Sequence, residues 1–599
     1  MRRSRGIVEV IPFVALPPGT EHRFTYRVPD DTAVRVGSRV HIPFGSRVVE
    51  GIVWSLSGRP RPGLKFLDRV VSGPLLFPRE THWLERLAEL SLESLALLVK
   101  SLVSVRKPLG ALPLVSVPRT AGRASVVHCA WTDDILSFLA EAKEHQLLVL
   151  VPELAIAERI LTTCMRSGIP VQRFSQALRL TERRRVLEAL VARRPGVVVA
   201  THSGVFLPFT TLQSIIIAES ALPSHRQWDL HPRYDARIAA LLRARTLGVP
   251  VRFLSSLPSA DLQALGSKSV TVSGSLPPLS GRILRRYGEG QHPLLPDVEQ
   301  EIRERLTRRR PMFLFQNVVG AERQYVCSAC GFAFRCELCG GMLQRSTGHL
   351  VCRECRSVAG PVRSFCPRCG SPRVHPRRVG TGALEEVLRK TFPNASVLRL
   401  DRESVPRSLQ EIRTGDTPTL VVGTERAFAV LPERIFALSV VVDGDALLTS
   451  PAFDTAETAL RLITRVAALT DPPHERTLTI QTTMPDFPLF RALAEGHIDA
   501  WIAAELGDRR TLRFPPYAAM LHCTRQFSEF SRAEKDTASL VQQFRKRGHL
   551  RVGWRIPRET RGFRGDIIAR GSRDALWKVL PALPRSWTVD PLIPLRELL

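Results

Sequence analysis

Four Cys-x-x-Cys pairs within 43 residues constrain this chain more than any other feature of its sequence. They hold eight of its eleven cysteines: Cys327/Cys330, Cys336/Cys339, Cys352/Cys355 and Cys366/Cys369. Zinc takes four ligands in a tetrahedron, and the turn of a Cys-x-x-Cys pair directs two sulfurs at one ion. The segment therefore predicts two Zn²⁺ ions per chain.

The gaps between successive pairs, of 5, 12 and 10 residues, bear on which pairs share an ion. A zinc ribbon needs two pairs on facing hairpin ends, and the longest gap suits such a hairpin better than the shortest. The spacing favours nested sites, while sequential and interleaved pairing stay open. In the nested arrangement the inner ion binds Cys336, Cys339, Cys352 and Cys355, and the outer ion binds Cys327, Cys330, Cys366 and Cys369.

Disulfides and an iron–sulfur cluster are the competing interpretations of these cysteines. The opening sequence MRRSRGIVEV shows no secretory signal, so an oxidising compartment is not expected. The spacing is not that of a ferredoxin. Both observations favour zinc.

The formal net charge of +28, with a pI near 10.8, predicts adhesion to polyanions. No Asp or Glu occurs from Cys355 to Leu384, and arginine with interleaved aromatic residues suits phosphate contact and base stacking. A general arginine bias that leaves only a solvated basic surface is the alternative. The first cluster is Arg356, Arg363, Arg368, Arg373, Arg377 and Arg378, and the second is Arg545, Lys546, Arg547, Arg551, Arg555, Arg558, Arg561, Arg564, Arg570 and Arg573, with Phe544, Trp554 and Phe563.

Apolar periodicity divides the chain into several domains. Short apolar runs alternate with helical stretches in two successive regions, which is the βαβ rhythm of buried parallel sheets and is typical of tandem NTPase lobes. No apolar run is long enough to span a bilayer, so we expect a soluble, cytoplasmic protein without a membrane partner. The predicted parts are a mixed α/β domain (1–106), a Pro-rich linker (107–120), lobe 1 (121–275), lobe 2 (276–507) with a zinc insertion (325–375), and a basic α+β domain (508–599). The first and the last of these domains are predicted to bind DNA.

The order of these parts resembles the PriA family of bacterial primosomal replication-restart proteins, which are zinc-containing superfamily 2 DNA helicases. The resemblance implies two RecA-like helicase lobes and nested zinc sites. The family's winged-helix domain is expected to be absent, because few residues separate the first domain from lobe 1. The segments that carry the resemblance are FTYRVPDDTAVRVGSRVHIPFGSRVVEGIV, VPELAI, THSGVFLPF, the cysteine segment with VGTGALEEVLRKTFP, LRLDRES, VVDGDALLTSPAFDTAET, FPPY and WTVDPLIPL.

The chain departs from the family where triphosphate is handled. Asp133 and Asp134 stand where a phosphate loop is expected, with no lysine between Lys107 and Lys143. SIIIAESA places Glu219 and neighbours where the family has Asp-Glu-x-His, and RVAALTDP lacks the paired arginines, leaving only Arg465. These departures predict a pseudo-helicase without enzyme activity. They argue against ATP as a cofactor, and leave open binding without hydrolysis.

The resemblance also implies DNA contacts. Thr25 lies between Phe24 and Tyr26, where the family has an aspartate that holds a free 3′ end, and Trp228 and Tyr234 match an aromatic-rich loop. Ordinary packing is the alternative for these aromatic residues. The predicted DNA-binding residues are Thr25, Arg39, Arg47, Trp228, Tyr234, Thr424, Arg551, Arg561 and Arg564.

Together these features predict a protein that binds forked, branched and single-stranded DNA at stalled replication forks. It would promote primosome assembly and reloading of the replicative helicase, with other primosome or helicase-loading proteins and the replicative helicase as partners. An active ATP-dependent 3′→5′ DNA helicase with divergent motifs and a zinc-ribbon nucleic-acid-binding regulator are the alternatives. The loading partners, the oligomeric state and recognition of a free 3′ end are left open.

Overall fold

The computed structural model of this 599-residue chain forms two units. The first comprises Met1–Ser275 with Val589–Leu599, and the second comprises Leu276–Thr588. The structure describes residues 4–14, 22–57, 62–112, 124–128, 134–227, 231–255, 257, 259–264, 271–273, 279, 281–285, 292–317, 323–327, 329, 332, 334–338, 341–346, 348–352, 357–378, 380–402, 404, 418–431, 434–450, 452–471, 478–547, 549–559, 562–584 and 586–595.

The first unit begins with an antiparallel sheet whose strand order is β2-β1-β4-β3-β5. Its strands are β1 (Ser4–Pro12), β2 (Phe24–Pro29), β3 (Ser38–Phe44), β4 (Arg47–Ser55) and β5 (Arg69–Pro74). Alternation places Val8, Val10 and Val40 in one apolar core. The same alternation predicts the first four strands but not β5, which ends in Gly and Pro and is tolerated because it is an edge strand.

Two helices follow this sheet, α1 (Glu80–Ser91) and α2 (Leu95–Arg106). The periodicity of the sequence predicts a single helical stretch here. The break occurs at Leu92, which adopts a left-handed conformation with φ of 52° and donates its N–H to the carbonyls of Ala88 and Glu89. This contact closes α1 and lets the chain turn into α2.

Lobe 1 is a seven-stranded parallel sheet in the order β12-β6-β11-β10-β7-β9-β8. Its strands are β6 (Ala124–His128), β7 (Gln146–Leu150), β8 (Val171–Phe174), β9 (Gly196–Ala200), β10 (Leu212–Ala218), β11 (Val251–Ser255) and β12 (Thr271–Ser273). Its helices are α3 (Asp134–Leu139), α4 (Leu154–Arg166), α5 (Leu180–Val191), α6 (Ala236–Leu247) and α7 (Ala260–Gln263). Every residue of β7 is buried, as expected for a parallel strand covered on both faces.

A buried cluster of charges joins the helix pair to lobe 1. Glu80 accepts two hydrogen bonds of 2.6 Å from the guanidinium of Arg106, and a second guanidinium, of Arg243, lies 3.8 Å away. The carboxylate is 3% exposed and the two arginines are 0% and 2% exposed. Trp83 adds a direct link, donating its indole N–H to the carbonyl of Ala239 at 2.9 Å. The first domain is therefore held against lobe 1 by interactions that water does not reach.

The second unit contains a six-stranded parallel sheet and the cysteine segment. The parallel sheet has the order β13-β23-β22-β14-β21-β20, and the cysteine segment forms an antiparallel sheet in the order β18-β17-β16-β15-β19. The strands are β13 (Arg282–Arg285), β14 (Met312–Phe315), β15 (Arg323–Cys327), β16 (Leu343–Ser346), β17 (His349–Cys352), β18 (Val358–Pro361), β19 (Val374–Arg378), β20 (Ser396–Leu400), β21 (Thr419–Gly423), β22 (Leu438–Val441) and β23 (Leu478–Thr482). The helices are α8 (Pro296–Leu306), α9 (Thr381–Thr391), α10 (Thr455–Ala468), α11 (Pro488–Glu495) and α12 (Ile498–Leu512). The two predicted parallel α/β sheets are thus confirmed.

The C-terminal part of the second unit packs helices against an antiparallel sheet. Three of its strands, whose ranges follow, lie in the order β25-β27-β24. Strands β24 and β25 are consecutive in the chain, but a helix connects them and both pair with β27. The elements are β24 (Ala519–Phe527), α13 (Phe530–Arg547), β25 (Arg551–Arg555), β26 (Arg558–Glu559), β27 (Gly562–Gly571) and α14 (Arg573–Val579). The last strand, β28 (Thr588–Leu592), belongs to the first unit in all but its first residue. Among the helices described, none is both long enough and apolar enough to cross a bilayer.

Candidate metal centre and nucleic-acid interface

Each Cys-x-x-Cys pair begins with the same turn. The backbone N–H of the first cysteine donates to the carbonyl five residues further on, at 2.7 to 2.9 Å. The four donors are Cys327, Cys336, Cys352 and Cys366, and their acceptors are Phe332, Gly341, Ser357 and Ser371. A turn that is repeated four times can present two sulfurs to one ion at each pair.

Three sulfurs from the first and fourth pairs lie together. The thiols of Cys327, Cys366 and Cys369 are within 4.8 Å of one another, and the Sγ atoms of Cys327 and Cys369 are 3.7 Å apart. Two thiolates on one tetrahedral zinc ion, each about 2.3 Å from it, would be about 3.8 Å apart. The N–H of Arg368 lies 3.4 Å from the sulfur of Cys366, a contact of the kind that stabilises thiolate charge. These residues fit a zinc ion, and Cys330, the fourth predicted ligand, lies outside the described residues.

The second and third pairs contribute two buried cysteines to one apolar cluster. Cys336 and Cys352 are 4% and 0% exposed and pack with Tyr325 and Phe334. The hydroxyl of Ser357 lies 3.2 Å from the sulfur of Cys336. Cys339 and Cys355, the other two predicted ligands of the inner ion, lie outside the described residues. Two of the four predicted inner ligands are therefore described, and both belong to one apolar cluster.

The surface of the fourth pair is basic and carries an exposed aromatic ring. Arg363, Arg368 and Arg373 are exposed, and the ring of Phe365 between them is 62% exposed. The nearest described carboxylate to Arg363 is that of Glu337, at 3.9 Å. Guanidinium groups beside an exposed ring can contact phosphate and stack on a base.

The three predicted DNA-binding residues of the first domain differ in burial and in their partners. Thr25 is half-buried on β2, opposite Glu9. Arg39 is buried and its guanidinium is paired with Glu50, so the geometry does not support it as a phosphate contact. Arg47 is exposed at the start of β4 and can reach a ligand in solvent.

The aromatic residues beside Thr25 pack within the domain. The hydroxyl of Tyr26 donates to the carbonyl of Pro43 at 3.1 Å, and its side chain is 5% exposed. The ring of Phe24 meets that of Phe44 edge-on, with centroids 5.0 Å apart. The packing interpretation of these two residues fits their surroundings.

The predicted aromatic loop of lobe 1 is described only in part. Tyr234 is 4% exposed and packs edge-on against Phe206 at 5.5 Å between centroids, and its burial raises its pKa. A buried ring cannot stack on a base, so the geometry supports packing at this position. Trp228 lies outside the described residues.

The segment expected to replace the phosphate loop, 129–133, also lies outside the described residues. Glu219, in the position of the metal-binding motif, is buried after β10 with φ of 46°. Nearby, Nε2 of His225 lies 2.9 Å from the carbonyl of Ala218. Burial, together with the charge of Arg237, lowers the pKa of His225 to about 4, so this imidazole is neutral at physiological pH.

Lobe 2 places its two singled-out residues at the ends of β21 and α10. Thr424 is 3% exposed, its N–H donates to the carbonyl of Leu400 at 3.1 Å, and no described atom pairs with its hydroxyl. Arg465 lies over the ring of Phe428 at 4.5 Å, and its guanidinium is 4.0 Å from Glu425. Arg465 is therefore packed within the lobe.

The C-terminal sheet holds two described candidates. Arg551 is exposed on β25 and donates to the carbonyl of Leu512 at 3.2 Å. Arg564 is half-buried on β27 and lies 3.7 Å from the carboxylate of Asp566. Arg561 lies outside the described residues.

Sequence reasoning missed two features of these sites. Ser357 lies beside Cys336. Its position could have indicated it, because it is the fifth residue after Cys352, and the carbonyl of the fifth residue accepts the hydrogen bond of each turn. The cluster of Glu80, Arg106 and Arg243 had no sequence signal, because its members are far apart along the chain.

The sequence matches known proteins over part of its length. Residues 13–104 match a family model described as the PriA 3′DNA-binding domain (3′BD). Replication restart protein PriA of Chlamydia trachomatis serovar D is 27% identical over 408 residues, which are 64% of this chain and 54% of that protein. Its counterpart from Bacillus subtilis is 27% identical over 427 residues, which are 68% and 52% of the two chains. The chain thus spans about half the length of the curated relatives it matches.

Solved structures give weaker likenesses. A structure of RecG bound to a three-way DNA junction has a TM-score of 0.36 at 13% identity and covers 69% of this chain and 49% of that one. The DUF1998 helicase MrfA bound to DNA has a TM-score of 0.35 at 14% identity and covers 64% and 49% of the two chains. Agreement at this level carries no argument about function.

The curated relatives overturn one prediction. The expectation that the chain is not an enzyme is wrong, because the proteins it matches belong to a family of ATP-dependent DNA helicases. The departures in the nucleotide motifs stand as facts of the sequence. Residues 13–104 thus match the 3′DNA-binding domain of the PriA family, and about two thirds of the chain is similar to curated replication restart proteins PriA.

Proposed function

We propose that this chain binds branched DNA at stalled or abandoned replication forks and acts in replication restart. The observation that carries the proposal is the match of residues 13–104 to a DNA-binding domain of this family. The buried ion cluster around Glu80 holds that domain against lobe 1, so DNA held by one would be presented to the other. Because bacterial chromosomal DNA is the proposed ligand, the cytoplasm is the proposed place of action.

The charge of the chain supports this proposal. A net charge of +28 favours association with a polyanion, and arginines such as Arg47 and Arg363 are exposed at the surface, where phosphate can contact them. Affinity that arises from such contacts falls steeply as the salt concentration rises. Preference for a fork must come in addition to this general attraction.

A gel-shift series on model forks tests the proposal. The probes are a fork with a free 3′ end at the branch, the same fork with that end blocked, a plain duplex and a single strand, all at one salt concentration. We expect forks to bind more tightly than the duplex of equal length. Equal affinity for all four probes would contradict fork recognition, and a difference between the two forks would show that the 3′ end is read.

We further propose that the cysteine segment binds two Zn²⁺ ions in nested sites. The 3.7 Å separation of the sulfurs of Cys327 and Cys369 supports the pairing of the first and fourth cysteine pairs. Such sites fold around the metal, so the ions would fix the shape of the segment. We propose this segment as the contact surface for primosome or helicase-loading proteins and, through them, for the replicative helicase.

A second candidate function is ATP-dependent 3′→5′ unwinding of DNA, which similarity to the PriA family favours. The two parallel sheets provide the scaffold that such an enzyme requires. DNA-stimulated ATP hydrolysis at about 1 s⁻¹ or faster, the low end for enzymes, would support it. Hydrolysis that does not rise on addition of a fork the protein demonstrably binds would count against it.

A further inference from the structure

The C-terminal sheet has one face covered by helices and one open face. Helices α13 and α14 pack against β27, and side chains that point towards them, such as Leu521, Ile567 and Ala569, are buried. Alternation along the strands therefore directs Arg551 and Arg570 to the open face. The two arginines are cross-strand partners in the antiparallel register of β25 and β27.

Placing two guanidiniums opposite each other is unfavourable unless something compensates them. Like charges at directly opposed positions of an antiparallel pair are destabilising. Both Arg551 and Arg570 donate to one acceptor, the carbonyl of Leu512, at 3.2 and 3.3 Å. Within the described part of the chain, no carboxylate forms a salt bridge with either. Burial, and next the charge of Arg551, lower the pKa of Arg570, as expected for a cation that lacks a counter-ion.

Two stacked rings hold Arg570 in place, and a second guanidinium packs on one of them. Its guanidinium lies 3.9 Å from the ring centroid of Phe514, which stacks on Phe453 at 5.1 Å with planes 7° apart. The guanidinium of Arg509 lies 5.2 Å from the ring centroid of Phe453 and is fixed by Glu457 and Glu505 at 2.9 and 2.8 Å. Arg570 is thus oriented by packing before any ligand arrives, which lowers the entropy lost on binding.

The surface beside the pair is open. Gly553 is the next outward position on β25 and lies opposite Ile568, and a Cβ built on this glycine would meet no described atom within 4 Å. Ile568 is 37% exposed. An extended strand can therefore lie across the sheet here, with its phosphates against the two arginines.

We propose that Arg551 and Arg570 form a binding site for the phosphodiester backbone of a DNA strand, held ready by the carbonyl of Leu512 and the ring of Phe514. Two planar guanidinium forks match the geometry of phosphate oxygens better than ammonium groups do. The site rests on the proposed function in DNA binding and assigns it a particular surface. An acidic peptide that ends in a free carboxylate is the rival ligand for the same chemistry.

Salt-dependent binding to the full chain tests the site. The probe is a labelled single-stranded oligonucleotide of about 20 nucleotides, followed by fluorescence anisotropy. Binding is measured between about 50 and 200 mM salt, where the slope of log K against log salt counts phosphate contacts at about 0.7 each. The variants are Arg551→Gln/Arg570→Gln and Arg570→Lys. Arg532→Gln is the matched control, because Arg532 is exposed on α13, which covers the opposite face of the sheet.

We expect the double variant to lose about 1.4 from the magnitude of the slope and at least about tenfold in affinity. Arg570→Lys should keep the slope and lose affinity, and Arg532→Gln should change both less than the double variant. If the wild-type protein binds the probe tightly and the double variant has the same affinity and slope as Arg532→Gln, this site is overturned and the proposed function still stands. Failure of the wild-type protein to bind the probe would overturn both. Selective loss of binding to an acidic peptide, with oligonucleotide binding unchanged, would overturn the site in favour of a protein ligand.

Discussion

Glu80→Gln should destabilise the junction between the first domain and lobe 1 by about 3–5 kcal/mol. The carboxylate of Glu80 accepts two hydrogen bonds of 2.6 Å from Arg106 and lies 3.8 Å from Arg243. Glutamine keeps the size of the side chain and removes its charge. Both guanidiniums then stay buried without a counter-ion.

The magnitude follows from what remains around the two arginines. Arg106 keeps the carbonyls of Phe206 and Leu75 as acceptors at 2.7 and 3.0 Å, and Arg243 keeps that of Leu207 at 2.5 Å. These carbonyls accept from some of the N–H groups, while Nε of Arg243 has no described acceptor, and carbonyl dipoles do not neutralise two full charges at 0% and 2% exposure. Breaking a buried pair by removing one partner costs more than the pair itself contributes, because the desolvation penalty of the other partner is no longer offset.

The same cluster predicts a pH dependence. Burial alone would raise the pKa of Glu80, but attraction by Arg106, with smaller help from Arg243, reverses that effect and lowers it below 4.5. A carboxyl group with a lowered pKa in the folded state stabilises the fold at pH values above its unfolded pKa. That stabilisation is lost as the pH falls through the folded-state value. Glu80→Gln should abolish this part of the acid sensitivity.

Hydrogen exchange measured by mass spectrometry on peptides from α1 and α2 reports the opening free energy of this junction. The matched control is Glu188→Gln, since the side chain of Glu188 is 53% exposed and pairs with that of Arg184, which is 63% exposed. The control should cost at most about 0.5 kcal/mol. A loss below about 1 kcal/mol for Glu80→Gln, or one equal to the control, would refute the view that a buried charge cluster holds the domain to the lobe.

Three further changes test other parts of the chain. Cys327→Ser should lower the zinc content, measured by plasma mass spectrometry, from two ions per chain to one. The control Cys164→Ser, at a buried thiol whose pKa is raised by burial to about 11, should leave two ions. Equal zinc contents in the two variants would contradict the outer site. Asp566→Asn should cost about 2 kcal/mol, because burial raises its pKa but bonds from His522 and Arg555 overcome that effect and hold it at about 2. This stabilisation should vanish from thermal melts as the pH falls from about 4 towards 2, and melts that do not change over that range would contradict it. Tyr234→Ala should destabilise lobe 1 by about 3–5 kcal/mol in denaturant titrations, because it removes a buried ring. Tyr234→Phe should leave the affinity for DNA unchanged. A loss of affinity in Tyr234→Phe would instead support a direct contact between Tyr234 and DNA.

The parallel sheets could be predicted from the sequence because their strands are buried on both faces. The runs LLVL of β7 and LVV of β21 are apolar at every position, as expected for strands of a sheet that is covered on both faces. The order of the C-terminal strands could not be predicted from the sequence. It depends on α13 crossing the sheet and on a register that places Arg551 opposite Arg570, and no local pattern encodes either.

The cysteine spacing predicts turns more readily than it predicts which sulfurs meet. A Cys-x-x-Cys pair is a local pattern, and all four pairs begin with the same hydrogen-bonded turn. The contact between Cys327 and Cys369 instead requires β15 to pair with β19, which places Cys327 opposite Val374. Such a pairing joins segments about 40 residues apart and is a property of the whole segment.

Arginine in this chain serves two purposes that composition cannot separate, and the structure distinguishes them by their partners. Arg39, Arg106 and Arg243 are buried against carboxylates, so they hold the fold together and have no free face for phosphate. Arg551 and Arg570 are cross-strand partners that donate to the same carbonyl, that of Leu512, and no described carboxylate pairs with either. A guanidinium that folding has already paired binds nothing further without breaking that pair, whereas two unpaired ones gain from any phosphate that reaches them. The net charge therefore predicts attraction to DNA, but the contacts must be sought where arginines lack a carboxylate within the protein.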